Sequence, residues 1–172
     1  GEDFQAGASL LPAGTVLGAR QIGLLAAAGL ETALVRRRLR VALVSMGDEL
    51  AGNGPDAIQD ANRPLLQALC IGTGFQVTDL GILPDSRDAL EAAFRAVAAD
   101  VLVTSGGVSV GDHDLVRPAL EAAGGAIDFW RVALRPGKPL IAGRLGHTVV
   151  LGLPGNPVSA FVTALLFVRP LI

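Results

Sequence analysis

Residues 100–105, Asp-Val-Leu-Val-Thr-Ser, carry apolar side chains at three successive positions, 101–103, instead of at every second one. A strand that reads this way is covered on both faces, as in parallel sheets sandwiched between helices. Similar runs recur at 39–46 (LRVALVSM) and 147–153 (HTVVLGL). Residues 75–83 alternate like a strand, and 126–134 and 139–145 read as two more strands around Arg135–Lys138. Between them lie stretches with helical spacing of apolar residues: 63–74, with Pro64 tolerable in the first turn, and 86–99, with Ser86 as natural N-cap. A further helix is expected from about His113 to Ala123, and 156–170 closes the chain as a helix. This alternation predicts a three-layer α/β/α sandwich around a mostly parallel sheet. With 51% hydrophobic and only 4% aromatic residues, a sizeable core is built from aliphatic side chains, which fits layered α/β better than an all-β sandwich.

Residues 1–38 differ from the rest. They open turn-rich, with Gly7, Pro12 and Gly14, continue as a helix over 18–30 that stops at Gly29, and end in a short expected strand, TALVRRR. The segment is too small for its own core, so it reads as the C-terminal remnant of a preceding domain. The α/β domain proper spans 39–172.

Several function classes fall away. The formal net charge is −2, with no long basic block, which argues against nucleic-acid binding through phosphate neutralisation. Arg36, Arg37, Arg38 and Arg40 alternate with apolar residues and read as a solvated edge. No apolar run approaches membrane-spanning length. Cys70 is the single cysteine, on what reads as a buried helix face, and points to an inert core thiol and a reducing compartment, the cytoplasm.

In a parallel sheet, ligands sit beyond the carboxyl ends of the strands. The unusual residues follow strand ends. After the first strand, Asp48, Glu49, Asp60 and Asn62 bracket one loop. Glu49 and Asp60 are placed to hold a hard cation, whereas Asn62 reads equally as a helix cap. Asp85 follows the second strand and alone reads as turn chemistry. After the third strand, Ser105, Gly106 and Gly107 let main-chain amides approach an oxyanion, and Asp112 and Asp114 follow within a few residues. Capping explains one of these acids better than two. A Mg²⁺ bridging both to a bound anion accommodates the pair. Pro136-Gly137 fits the centre of a type II turn that holds Arg135 and Lys138 at its ends, as an anion clamp or as solvated charges. Pro154, Gly155 and Asn156 lead into the last helix, with Asn156 as cap and Pro157 at its first position. No protein nucleophile stands out.

In order, "GDEL", "DAN", "LPD", "SGGVSVGDHD", "RPGKP" and "LPGNP" resemble the MoeA-type molybdopterin molybdenumtransferase family of molybdenum cofactor biosynthesis, which also includes a domain of gephyrin. The resemblance implies a fold shared with molybdopterin adenylyltransferases. It implies insertion of molybdate into adenylylated molybdopterin (molybdopterin-AMP), with release of AMP and a requirement for Mg²⁺. On this resemblance Asp60, Asp85, Asp114 and Lys138 are catalytic. Ser105, Gly106, Gly107, Arg135, Lys138, Pro154, Gly155 and Asn156 bind the substrate, and Glu49, Asp85, Asp112 and Asp114 hold the metal. Met46 stands where the family usually has Thr, and Arg135 where it has Lys. The resemblance further implies a homodimeric full-length protein, with molybdopterin adenylyltransferase as a further partner. It implies that this stretch keeps part of the site with little insertion activity of its own. The alternatives are a gephyrin-type scaffold and a pterin adenylyltransferase.

Overall fold

The computed structural model describes residues 4–51, 57–71, 75–108 and 114–172. The chain separates into two compact units, Gly1–Arg37 and Arg38–Ile172. In the first, helix α1 (Ala19–Ala27) starts where the Gly18 N–H donates to Gln21 Oε1 at 3.2 Å. It ends before Gly29, whose φ of +75° a residue with a side chain rarely adopts. The strand expected over TALVRRR is absent: residues 31–38 are exposed and carry no ladder.

The second unit runs β1 (Arg40–Met46), α2 (Asp48–Ala51), α3 (Asn62–Ile71), β2 (Gln76–Leu83), α4 (Arg87–Ala96), β3 (Val101–Ser105), α5 (Val116–Ala122), β4 (Ala126–Trp130), β5 (Ile141–Leu145), β6 (Thr148–Leu153) and α6 (Pro157–Thr163). A π-helical turn (Ala164–Val168) and α7 (Arg169–Leu171) extend α6. The six strands are ordered β2-β1-β3-β6-β5-β4, with β2, β1, β3 and β6 parallel and β5 antiparallel to both neighbours. The fold is therefore the expected α/β class, helices flanking a mixed, mainly parallel sheet.

Alternate residues of the central strands feed two separate apolar layers. Val41, Leu43, Val101 and Val103 face Leu66, Cys70, Ala164 and Val168. Ala42, Val44, Met46 and Leu102 face Leu90, Phe94, Val116 and Leu120. Both faces are buried, which is why β1 and β3 read as unbroken apolar runs. Cys70 lies in the first layer, where burial pushes its thiol above the ordinary value. It is a packing residue there.

Two expectations about local structure change. Helix α5 starts at Val116, three residues later than expected from its apolar spacing. The Arg135 turn is longer than a tight hairpin: the ladder continues through Arg131 N–H to Leu140 O (2.8 Å) and Val132 N–H to Lys138 O (3.1 Å). The Arg135–Pro136 peptide is cis and Gly137 has φ +117°, so the turn is not the type II form with its trans bond.

β1 is followed by a crossover to β2 on one side, and β2 by a crossover to β3 on the other. The chain thus diverges beyond the carboxyl ends of β1 and β3, where a crevice must open between the loops.

Candidate functional site

That crevice is a cleft of about 600 Å³. Its walls come from four connections. Gly47 and Glu49 follow β1, with Asp60 and Asn62 at the start of α3. Asp85 follows β2, Ser105–Val108 follow β3, and Gly155 and Asn156 follow β6.

Glycine makes the floor possible. A Cβ on Gly106 would lie 2.5 Å from Met46 O, and one on Gly107 2.6 Å from Met46 Sδ. Both glycines have positive φ (+85° and +66°). Met46 itself is buried and supports the glycine loop from below. Leu115 N–H donates to Gly107 O at 2.9 Å, which holds the residue after Asp114 against the glycine wall.

The acids divide into two kinds. Asp60 is nearly enclosed. Its Oδ1 accepts from the N–H groups of Asn62 and Arg63, both at 3.1 Å, so Asp60, not Asn62, caps α3. Its Oδ2 lies 3.3 Å from Arg63 Nε, and Arg63 in turn reaches Asp79. Asp48 and Asp85 exchange contacts across two loops: Asp85 N–H donates to Asp48 Oδ1 at 3.1 Å, and Asp48 N–H to Asp85 Oδ2 at 3.5 Å. Glu49 and Asp85 are exposed in the cleft, and the Glu49 carboxylate folds over Gly47.

Asp114 is buried. Burial pushes its carboxyl above the usual carboxylate range, against the opposing pull of the Arg117 N–H and the Arg117 and Arg131 charges. Its Oδ1 accepts from Arg117 N–H at 3.3 Å, and its Oδ2 has no hydrogen-bond partner in the protein. The Arg117 and Arg131 guanidiniums lie 4.8 Å and 3.7 Å from the centre of the Trp130 ring. Arg131 is the one described non-glycine residue with positive φ, +69°. Because β4 runs parallel to β3 and β6, this cationic group sits at the same end of the sheet as the cleft.

The structure therefore gathers Glu49, Asp60, Asp85, Ser105, Gly106, Gly107, Gly155 and Asn156 around one volume. Asp114 lies at its margin. Pro154 is buried and does not line the cleft, and Asn156 caps α6 by accepting from Ser159 N–H at 3.1 Å. Arg135 and Lys138 are exposed on the β4–β5 loop and do not line the cleft. Asp112 lies outside the described residues, as does His113. Among the described residues no three acids or imidazoles cluster tightly enough to enclose a metal. Glu49 and Asp85 line the same cleft and are exposed there, and carboxylate oxygens are the donor type that a hard cation takes.

Sequence reading missed Arg117, Trp130 and Arg131, whose proximity depends on β4 running beside α5. It left Asn62 undecided, although "DAN" marked the place. The Asn62 amide is buried and donates to Ser105 Oγ at 2.8 Å and Gly155 O at 2.7 Å.

Comparison with known proteins adds the decisive observation: residues 42–172 match the family model described as probable molybdopterin binding domain. The chain belongs to that family. A molybdopterin molybdenumtransferase of Haemophilus influenzae is 42% identical over 100% of this chain and 44% of its own length. Gephyrin of Dictyostelium discoideum is 33% identical over 99% of this chain and 28% of its own. The crystal structure of a molybdopterin biosynthesis MoeA protein from Pyrococcus horikoshii superposes with a TM-score of 0.76, at 33% identity, over 90% of this chain and 40% of that one. The chain thus spans less than half the length of these relatives. Within the described residues no helix is long and apolar enough to cross a membrane.

Proposed function

We propose that this molybdopterin-binding domain is the part of a molybdopterin molybdenumtransferase that receives adenylylated molybdopterin and molybdate, for molybdate insertion with release of AMP. The observation that carries this reading is the convergence, at the β1/β3 divergence, of a glycine-lined wall and exposed carboxylates in one cleft. The substrate's pyrophosphate link and molybdate are both oxyanionic. Gly106 N–H is taken by Leu153 O at 3.2 Å, so the Gly107 end of the wall, with the Gly155 loop beside it, is where main-chain donors meet the anion without side chains in the way. Arg131 and Arg117, with Arg135 and Lys138 on the neighbouring loop, supply positive charge at the same end of the sheet.

Glu49 and Asp85 would hold Mg²⁺, with Asp114 and Asp112 as its further acid ligands. The ion supplies charge neutralisation and polarisation of the phosphoanhydride when bound. Ser105 Oγ already accepts from Asn62 and lies buried, so it positions the wall and is no nucleophile. In the whole protein a second copy completes the site, the adenylyltransferase that makes the substrate is a partner, and the compartment is the cytoplasm. The match to gephyrin favours one second reading, a scaffold module, and the exposed cleft carboxylates weigh against it.

Titration of AMP into the 172-residue chain, with and without Mg²⁺, tests the reading. Wild type is expected to bind AMP more tightly with Mg²⁺, and Asp85→Ala and Asp114→Ala to lose that difference. Equal affinities in all three proteins would reject the metal role, and no AMP binding at all would reject the site.

A further inference from the structure

Asn62 has a side chain with no local duty. Asp60 caps α3 and fixes the Asn62 main chain, so the amide is not spent on the helix start. Both Nδ2 protons leave the helix: one goes to Ser105 Oγ, 43 residues away in sequence, the other to Gly155 O, 93 residues away. The orientation of the amide is forced. A carbonyl only accepts, so rotating the amide would set Oδ1 against Gly155 O at the 2.7 Å now spanned by a hydrogen bond. The group is 7% exposed, and its Oδ1 is buried without a partner. A buried acceptor left unmatched is a cost that pure packing would not keep.

The two acceptors belong to the neighbouring loops after β3 and β6, both of which line the cleft. Ser105 leads directly into Gly106 and Gly107. Gly155 stands so close that a Cβ on it would lie 3.7 Å from Gly106 Cα. The β3–β6 ladder ends where Gly106 N–H donates to Leu153 O at 3.2 Å, and no side chain separates the two stretches of backbone beyond it. The Asn62 amide supplies a fixed third point.

We propose that Asn62 is a positioning residue that couples the glycine loop after β3 to the Gly155 loop after β6. It sets the distance between their amides, so that both engage one phosphate-bearing ligand together. The ligand part of this assignment rests on the reading given under Proposed function. The mechanical part stands on the hydrogen bonds alone. Asp in this position keeps the shape but replaces the donor: the Ser105 hydroxyl can turn and donate to it, whereas Gly155 O meets a second acceptor. Asn62→Asp therefore cuts one arm and Asn62→Ala cuts both.

Amide hydrogen exchange and AMP titration with Mg²⁺ on the 172-residue chain separate the two parts. Asn62→Ala is expected to speed exchange of the Gly106 and Ser159 amides together, about tenfold, while β3 amides at Leu102 and Val103 stay protected. AMP affinity falls about tenfold, the loss expected for two buried hydrogen bonds. Asn62→Asp loosens Ser159 more than Gly106. Leu66→Val, a truncation on the buried face of the same helix, controls for stability, compared at equal distance below each protein's melting temperature. Exchange that rises in only one loop in Asn62→Ala, or rises equally in both loops in Leu66→Val, overturns the coupling. Joint loosening without AMP binding by wild type keeps the coupling and rejects the ligand. Joint loosening with unchanged AMP affinity rejects the role of the coupling in binding.

Discussion

The two ends of the sheet are built to opposite rules. At the amino end of the strands every described contact closes something. Arg40 N–H donates to Asp100 Oδ2 at 2.8 Å, Asp100 N–H returns to Arg40 O at 2.9 Å, and Val149 N–H reaches Asp100 O at 3.0 Å. Thr148 Oγ1 donates to Ala99 O at 2.6 Å, tying β6 to the turn before β3. At the carboxyl end lie Gly47, Gly106 and Gly107 with positive φ, the exposed Glu49 and Asp85, and the group around Asp114. The buried polar side-chain atoms left without a hydrogen bond among the described residues belong to Asp60, Asn62, Thr104, Asp114 and Trp130, all at or beside that end. Unmatched buried groups are costly, and a fold retains them where something other than stability is selected. The same acid type thus serves as a pin at one end and as ligand machinery at the other.

The sharpest break of this comparison is Gly106→Ala. The added methyl meets Met46 O at 2.5 Å in a backbone conformation hostile to it, so a loss of about 2–4 kcal/mol is expected in urea unfolding, along with loss of AMP binding. Next in size, Asp85→Ala is expected to weaken Mg²⁺-dependent AMP affinity about tenfold or more by calorimetry. Its unfolding midpoint should hardly move, because the side chain is exposed. The mirror experiment at the other end is Asp100→Ala. It removes the acceptor of the Arg40 N–H and is expected to cost about 1 kcal/mol of stability and nothing in AMP affinity. If Asp100→Ala impaired binding as much as Asp85→Ala, the division of labour between the ends would be wrong.

The smallest effect concerns pH in the metal-free protein. Asp114 holds its proton more tightly when folded than when unfolded, because burial raises its carboxyl. Its contribution to stability is therefore present in full below the ordinary carboxylate value and is lost as pH rises through the folded-state value. Asp114→Asn removes this titration. The variant should gain on wild type between acidic and neutral pH, as read by urea midpoints across that range, and the gain should vanish in strong acid.

The sheet was legible because β1, β3 and β6 are buried on both faces and carry unbroken apolar runs, a signal that survives without any partner in view. TALVRRR carries the same β-branched and aliphatic signature over residues 32–35, yet among the described residues it pairs with no strand, and propensity without a partner makes no strand. The acids were legible as positions but not as roles. Asp60 and Asp85 look alike in sequence, and only the structure separates them: Asp60 is nearly enclosed by the start of α3 and Arg63, whereas Asp85 is exposed in the cleft. Asn62 was least legible, since its partners lie far along the chain and a helix cap was a sufficient local explanation. Sequence pointed to cations only at Arg135 and Lys138, and the structure adds Arg131, four residues before Arg135, which lies over Trp130 and whose charge acts on Asp114.

The paired contacts between Asp48 and Asp85 have a mechanical corollary. Each loop's acid grips the other loop's backbone, so Glu49, one residue from the latch, shares its freedom with Asp85. Whatever stills one of these loops stills its neighbour, and the entropy of ordering is lost for a single body instead of two.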